Sequence, residues 1–311
     1  MRIIEYKYPA AVMPDFGPLA AALGFFDGVH LGHRALIRDT VERARASGLV
    51  PAVFTFPAES PMLKRGTARI YGTAEKLAIF EELGVELCIL CDFDSVCSLS
   101  PQAFVGEVIC RDLGVVLALS GEDFRFGRLA EGNSALLLRL MKAAGGEAVI
   151  HRTEYIDLPE GRVQISASLI RECLSRGDVG LAARLLGAPY RICAEVSHGD
   201  GRGRLYGYPT LNTPIAEDSP LALGVYHTRV VLEGKAYTGL TNVGRCPTFS
   251  ERAVHAETYI LDFCSDAYGK RAEISFLDYI REERVFDSAD ALAAEIDKNV
   301  KEVLERERKG E

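Results

Sequence analysis

The sequence lacks three features that would each define a class of protein. Its formal net charge is −8 at pH 7, so it has no general basic surface on which to hold a polynucleotide by counterion release. No apolar stretch approaches membrane-spanning length, and residues 1–5 lack the long apolar region of a signal peptide. Internal repeats and low-complexity segments are also missing. These absences predict a soluble, cytoplasmic protein that binds neither nucleic acid nor membranes and meets anionic ligands locally.

Cysteines are present, but their pattern favours neither disulfides nor zinc. The chain has eight cysteines, and without a secretory signal they suggest reduced thiols. Cys88 and Cys91 form a Cys-x-x-Cys pair within a strand-like run, and no second pair could complete a zinc site. We interpret these two cysteines as residues that pack in the core, with a redox role as the remote alternative.

The chain of 311 residues is long enough for two domains, and its pattern changes around residue 187. Strand-like and helix-like segments alternate before that point, which predicts an α/β domain with a parallel, Rossmann-like sheet. Short β-rich runs follow, as in an antiparallel β-barrel, and residues 288–306 predict a C-terminal helix with Ser288 as its N-cap. We therefore expect domains at residues 1–186 and 187–311.

The most informative motif is GFFDGVHLGH at residues 24–33, between an apolar run and an amphipathic one. It predicts a strand, a turn and then a helix over residues 34–47. His30 and His33 would lie on one side of the first helical turn, where free N–H groups and the helix dipole favour anions. Glycines at 28 and 32 would let a triphosphate approach the backbone. The alternative is a turn with two surface histidines.

Two later segments of the first half also suit phosphate or an aromatic ligand. Residues 120–127, SGEDFRFG, follow a strand at the end where parallel sheets bind ligands. An arginine between two aromatics could hold a planar ring and a phosphate, although a structural loop with its aromatics in the core remains the alternative. In residues 165–171, ISASLIR, Ser168 and Arg171 share a face of a helix expected over 166–186 and could clamp a phosphate. A simple capped helix would have the same pattern.

The second half contains a glycine-rich run, EVSHGDGRGRLYGYPTLN, at residues 195–212. Such a run can wrap phosphates with its N–H groups. Thr210 and Asn212 offer oxygen ligands to one Mg²⁺, because their i, i+2 spacing in an extended segment places both on one face. A flexible surface hairpin is the alternative.

In this order, the motifs resemble the bacterial bifunctional riboflavin kinase/FAD synthetase family over nearly the whole chain. The His-x-Gly-His tetrapeptide with its Phe-Asp-Gly prefix is similar to the nucleotidyltransferase signature of that family. Residues 123–127 and 165–171 are similar to its Asp-Phe-x-Phe-Gly and Ile-Ser-Ser-Thr-x-Ile-Arg segments. The riboflavin kinase half of the resemblance is carried by residues 203–212, 224–226, 242–249, 257–263 and 268–269.

The resemblance implies two reactions that share ATP as co-substrate and Mg²⁺ as metal ion. A C-terminal barrel would phosphorylate riboflavin to FMN, with Glu257 accepting the proton of the 5′-hydroxyl as it attacks the γ-phosphorus. The N-terminal domain would convert FMN to FAD, as an FMN oxygen attacks the α-phosphorus of ATP and pyrophosphate leaves. His30, His33 and Arg171 would neutralise the pyrophosphate. On its own, a glutamate in a strand is usually just solvent-facing.

The site residues predicted from the motifs and the resemblance form four groups. The catalytic group is His30, His33, Arg171 and Glu257. The ATP and phosphate group is Gly24, Phe26, Asp27, Gly28, Gly32, Ser166, Ser168, Gly199, Gly203, Arg204, Gly207 and Pro209. The flavin group is Asp123, Phe124, Arg125, Phe126 and Arg281, and the metal group is Thr210 and Asn212. For Arg281, a charged helix start explains the segment equally well.

Several departures from the family pattern leave other functions open. Ala167, Cys246 and Tyr259 stand where the family has serine, arginine and histidine, and no acid separates Phe56 from Pro57. One half could therefore be degenerate, leaving a single activity. Other hypotheses are a non-catalytic flavin or nucleotide sensor, and a nucleotidyltransferase for a different substrate, which would explain the first half only. The sequence also leaves homo-oligomerisation open.

Overall fold

The computed structural model describes residues 1–10, 13–61, 67–158, 161–197, 207–245, 254–263 and 265–310. The chain divides into two compact units, Met1–Ala167 and Ser168–Glu311. This division precedes residue 187, because the helix that ends at Leu186 packs against strands of the second unit. Among the described residues, no helix combines the length and apolar character needed to cross a bilayer.

The first unit is built on a six-stranded parallel sheet with the order β1-β4-β3-β2-β5-β8, which confirms the expected α/β domain. Every residue of its central strand β2 is buried, as expected where helices cover both faces of a parallel sheet. The strands of this unit are β1 (Arg2–Tyr6), β2 (Leu19–Leu23), β3 (Val50–Thr55), β4 (Leu87–Cys91), β5 (Val115–Gly121), β6 (Arg125–Phe126), β7 (Gly132–Asn133), β8 (Glu147–His151), β9 (Tyr155–Leu158) and β10 (Gly161–Gln164).

The helices of the first unit alternate with the strands of its sheet. They are α1 (Leu31–Ala46), α2 (Thr73–Glu82), α3 (Phe93–Val96), α4 (Pro101–Ala103), continued as a π-helix over Phe104–Asp112, and α5 (Ser134–Ala143). The expected start of α1 at residue 34 is wrong, because His30 is the N-cap and its Nδ1 accepts from the His33 N–H at 3.4 Å. His33 therefore lies inside the first turn of the helix.

The Cys88–Cys91 pair lies in the core of the first unit. Both side chains belong to β4 and are fully buried. Burial raises the pKa of each thiol to about 12, so neither is a thiolate at neutral pH. Because a reactive cysteine needs thiolate character, these observations agree with packing rather than redox chemistry.

The expected continuous helix over residues 166–186 is instead two helices, α6 (Ala167–Ser175) and α7 (Val179–Leu186). Gly177 interrupts them with a φ of +76°, and a Cβ there would come within 2.8 Å of the Tyr279 ring. Asp178 then caps α7 by accepting the Leu181 N–H at 2.9 Å. The break therefore serves close packing against the second unit's own sheet.

The second unit is a curled antiparallel sheet with the order β11-β16-β13-β14-β15-β12, as expected for a barrel. The chain just beyond β11 meets β12 at the opposite edge, where the Ser197 N–H donates to the Asn212 carbonyl at 2.8 Å. Its strands are β11 (Tyr190–Glu195), β12 (Thr210–Ile215), β13 (Gly224–Leu232), β14 (Lys235–Arg245), β15 (Val254–Ile260) and β16 (Arg271–Arg281).

The C-terminal helix α8 (Ala289–Gly310) packs on one face of this sheet. Val303 contacts a cluster with Val225 and Leu240, and Ser288 caps the helix by accepting the Ala291 N–H at 3.2 Å, which confirms the predicted cap. The opposite face buries a ladder of threonine hydroxyls: Thr228, Thr241 and Thr258 are linked at 2.8 and 2.9 Å. The helix and the threonine hydroxyls therefore lie on opposite faces of the sheet.

Candidate functional site

The turn that carries the histidine motif lies at the carboxyl ends of β2 and β3. Its backbone is left-handed at Phe26, Gly28 and Val29, with φ values of 55°, 74° and 40°. A Cβ on Gly28 would come within 2.8 Å of the Ile70 side chain, so only glycine fits there. Asp27 is buried and accepts the Ile70 N–H at 3.3 Å. These residues turn the chain sharply into the N-terminus of α1.

The two imidazoles at this N-terminus are stacked on each other. The ring centroids of His30 and His33 are 3.6 Å apart, and Phe26 meets His33 edge-on at 5.2 Å. Burial lowers the pKa of His30 to about 4. The pKa of His33 lies well below its usual range because of burial, with the charges of His30 and Lys76 adding to the effect. Both rings are thus neutral at pH 7 in the unliganded protein.

One atom of this pair is left without a hydrogen bond. His33 Nδ1 is buried and has no partner among the described residues. A buried polar atom without a partner is costly, and it lies beside the free N–H groups at the start of α1, where anions are favoured. This corner is therefore suited to an anionic ligand, and its phosphate-binding role stays a prediction. Gly24 and Gly32 flank it: a Cβ on Gly24 would strike the Phe26 ring, and one on Gly32 would touch His30.

The predicted flavin segment splits between surface and core. Phe126 is buried and its ring lies 5.6 Å from that of Phe104, whereas Phe124 is only half-buried and stacks on Phe126 at 5.5 Å. Asp123 and Arg125 are exposed. Of the two aromatics, Phe124 is the one with a ring surface available, and the flavin role of the segment stays a prediction.

The predicted phosphate clamp lies around the start of α6. Ser168 is exposed and Arg171 is half-buried on this helix, three residues apart, whereas Ser166 precedes the helix. Their spacing places Ser168 and Arg171 on one helical face. Their role in phosphate binding also stays a prediction.

In the second unit, three polar side chains lie abreast on one face of the sheet. Glu257 on β15 is directly opposite Asn212 on β12 and, on its other side, directly opposite Asn242 on β14. Directly opposed residues share a face, with Cβ atoms about 5 Å apart. Thr210 lies two residues before Asn212 and therefore on the same face. Glu257 is exposed, so this row presents a solvated carboxylate between two amides.

This row of side chains fits Mg²⁺ in the chemistry of its donors. Thr210 and Asn212 supply a hydroxyl and an amide oxygen, and Glu257 supplies a carboxylate beside them. Mg²⁺ prefers oxygen ligands and commonly completes its shell with water and phosphate rather than with protein alone. Within the ranges that the structure covers, no three His, Cys, Asp or Glu side chains converge as a metal site. A magnesium ion held partly by nucleotide phosphates agrees with both observations.

The rest of the glycine-rich run is only partly described. Gly207 has a φ of +85° and is exposed, as is Pro209, and the two residues lead into β12. Gly199, Gly203 and Arg204, predicted for phosphate, lie outside the described residues, as does the departure at Cys246. Tyr208 lies between the two described positions, and its hydroxyl donates to Asp297 of α8 at 2.7 Å.

Comparison with known proteins gives a family match for each half of the chain. The family model for riboflavin kinase matches residues 186–306, and the model for FAD synthetase matches residues 13–166. The bifunctional riboflavin kinase/FMN adenylyltransferase of Escherichia coli (strain K12) is 35% identical over 301 residues, with 95% of each chain covered. The protein of the same name from Bacillus subtilis (strain 168) is 35% identical over 314 residues, with 98% of each covered. The chain belongs to the bifunctional riboflavin kinase/FMN adenylyltransferase family.

A solved structure is similar to this chain. It is described as a macrolide-efflux protein from Streptococcus pneumoniae, is 30% identical, and superposes with a TM-score of 0.80 over 96% of this chain and 97% of that one. The likeness covers both units.

Arg281, predicted to contact flavin, is engaged by the C-terminal helix in this family member. Its Nε lies 3.0 Å from Asn299 Oδ1 and 3.4 Å from Glu295 Oε1. Burial lowers the pKa of the guanidinium. These contacts tie the end of β16 to α8. The alternative of a charged helix start is wrong, because Arg281 is the last residue of a strand, while a flavin contact stays a prediction.

Two residues at the sites were missed by the sequence analysis. Asn242 lay in a quoted motif but received no role, because its pairing with Glu257 depends on strand register between distant segments. Lys76 was not singled out at all. It is 2% exposed and donates from α2 to the carbonyls of Phe25 and Phe56 at 2.7 and 3.1 Å. A lysine in a helix is normally solvated, so nothing in the local sequence signals this burial.

Proposed function

We propose that this chain carries out both reactions in its family's name, one with each half. Residues 187–311 phosphorylate riboflavin to FMN, and residues 1–186 adenylylate FMN to FAD with release of pyrophosphate. The observation that supports this most strongly is that each matched half retains its chemistry-bearing group in a suitable setting. His30 and His33 stack at a helix N-terminus, and Glu257 lies in register with Asn212.

In adenylyl transfer, an FMN phosphate oxygen attacks the α-phosphorus of ATP in line. The bond from the α-phosphorus to the bridging oxygen breaks, and the pyrophosphate takes the developing charge. The N–H groups at the start of α1 donate hydrogen bonds to that charge. The rings of His30 and His33 donate as well, and because they are neutral, the protein does not have to keep a positive charge out of water before ATP binds. Arg171 supplies a permanent charge, and Phe124 with Arg125 holds the flavin phosphate and ring.

In riboflavin phosphorylation, Glu257 accepts the proton of the ribityl 5′-hydroxyl as that oxygen attacks the γ-phosphorus of ATP. Its exposure suits this role, because an exposed carboxylate can pass the proton on to water afterwards. Asn212 and Asn242 on either side limit where the carboxylate can lie. Thr210 and Asn212 hold Mg²⁺, which neutralises phosphate charge when it is bound.

Localisation and assembly complete the proposal. We place the reactions in the cytoplasm, where their co-substrate ATP is made, and we expect riboflavin, FMN, FAD and ATP as the partners, with no nucleic acid. A homo-oligomer is compatible with the proposal but is not required, since each half carries its own reacting groups.

The decisive experiment is incubation of the purified chain with riboflavin, ATP and Mg²⁺, with each flavin separated and quantified over time. We expect FMN to appear first and FAD to follow. A parallel reaction started from FMN should give FAD without riboflavin. Formation of FMN from riboflavin without any FAD would identify a member of the family with kinase activity alone. Formation of FAD only when FMN is added would identify one with adenylyltransferase activity alone. No turnover in either reaction, with flavin still bound, would identify a sensor.

A further inference from the structure

Lys76 makes a set of contacts that links two strand ends of the first unit. Its ammonium donates to the Phe25 carbonyl at 2.7 Å, the Phe56 carbonyl at 3.1 Å and the Thr55 hydroxyl at 3.4 Å. Thr55 Oγ1 itself donates to the Phe25 carbonyl at 3.0 Å. Phe25 is the second residue after the end of β2, and Phe56 is the first residue after the end of β3. One side chain from α2 therefore holds both strands where they leave the sheet.

The segment held in this way is the one that sets the histidine pair. Phe25 precedes the left-handed Phe26 and the Asp27-Gly28 turn, and that turn ends at His30, the N-cap of α1. A shift of the Phe25 carbonyl would therefore move the backbone N–H groups and both imidazoles together. Displacement of a reacting group by about 1 Å can cost about 100-fold in rate.

The ammonium also places a positive charge beneath the anion site. It lies 4.6 Å from the centre of the Phe25 ring, and its charge helps to lower the pKa of His33. Burial lowers the pKa of Lys76 itself to about 8, while the negative charges of Asp27 and Glu59 oppose this effect. A buried lysine costs free energy that a methionine of similar length would not.

We propose that Lys76 is a positioning residue for adenylyl transfer: its ammonium fixes the strand-end turn that carries His30 and His33 and adds positive potential to the triphosphate site. The inference rests on the proposed FMN adenylyltransferase activity. It predicts that Lys76 affects FAD formation and leaves riboflavin phosphorylation unchanged, since that reaction belongs to the other unit.

The test compares Lys76→Met, Lys76→Gln and Lys76→Arg in the full chain with the wild-type protein. Lys142→Met is the matched control, because Lys142 is an exposed lysine on α5 of the same unit. For each variant, kcat and KM for ATP are measured for FMN to FAD and for riboflavin to FMN, and thermal unfolding is recorded. We expect Lys76→Met to lower kcat for FAD formation about 100-fold. Riboflavin phosphorylation and the Lys142→Met variant should remain at the wild-type level.

The pH profile separates a positioning charge from mere packing. Four groups face the ammonium: His33 from α1, Asp27 from the turn, Glu59 after β3 and Cys88 from β4. As Lys76 loses its proton near pH 8, FAD formation by the wild type should fall. In Lys76→Arg, which keeps its proton, we expect part of the rate lost in Lys76→Met to return and the alkaline fall to move to higher pH.

Several outcomes would overturn the inference. They are an unchanged kcat in folded Lys76→Met, an equal loss in Lys142→Met, or the same alkaline fall in Lys76→Arg as in the wild type. If Lys76→Met does not fold, Lys76→Gln, which keeps a donor without the charge, is judged by the same kcat criterion. Absence of FAD formation in the wild type would instead reject the proposed adenylyltransferase activity, and the inference with it.

Discussion

The groups that we propose for phosphate chemistry are in opposite physical states in the two units. In the first, His30, His33 and Lys76 are largely removed from water, and the pKa of each is lowered by burial. In the second, Glu257 is exposed and lies between two amides on a sheet face. Adenylyl transfer from a phosphate nucleophile needs no base, so preorganised donors suffice. Phosphorylation of a hydroxyl needs a proton acceptor in contact with water.

A large effect is expected in the first unit. Replacing His30 by Ala removes a donor to the leaving pyrophosphate, which typically costs roughly 2.7–4 kcal/mol of barrier, or about 100- to 1000-fold in rate. The measurement is FAD formation from FMN and ATP, with riboflavin phosphorylation by the same sample as the control for folding. FAD formation close to the wild-type rate would contradict the assignment of His30.

The reciprocal variant in the second unit is Glu257→Gln. Loss of a general base typically lowers the rate about 100- to 10,000-fold, so FMN formation from riboflavin should fall by that factor while FMN to FAD conversion continues. The matched control is Glu233→Gln. Glu233 is an exposed glutamate in a turn, and its carboxylate forms an ion pair with Lys270. Simultaneous loss of both reactions in Glu257→Gln would contradict two separate sites.

A smaller effect concerns the stability of the first unit toward acid. In the unfolded chain a histidine has a pKa of 6.5, whereas burial keeps His30 neutral in the folded unit down to about pH 4. Between these values the unfolded state binds the additional proton. Stability therefore falls with falling pH, by up to about 1.4 kcal/mol per pH unit from this imidazole, and His33 should act in the same direction.

The acid effect can be measured by thermal unfolding at several pH values in that window. A variant with both His30→Asn and His33→Asn should lose less stability than the wild type as the pH is lowered, because the buried imidazoles are gone. Equal losses in the two proteins would mean that the rings are accessible to protons in the folded unit.

The features that could be predicted from sequence are those encoded by local patterns. Alternation of strands and helices gave the parallel sheet, and Ser288 marked the start of the last helix. The helix break at Gly177 could not be predicted, because a glycine is required there by the Tyr279 ring, which is distant in sequence. The same holds for the sites. The histidine motif is contiguous, whereas the pairing of Glu257 with Asn212 and Asn242 depends on which strands become neighbours.

The bond between Ser197 and Asn212 has a consequence for how the glycine-rich run can vary among relatives. It joins the two ends of that run to each other, so the Thr210–Asn212 pair keeps its place in β12 whatever lies between. Because the entropy of closing a loop rises only with the logarithm of its length, insertions there should be tolerated. Substrate contacts could thus diversify in evolution while the proposed metal ligands stay where they are.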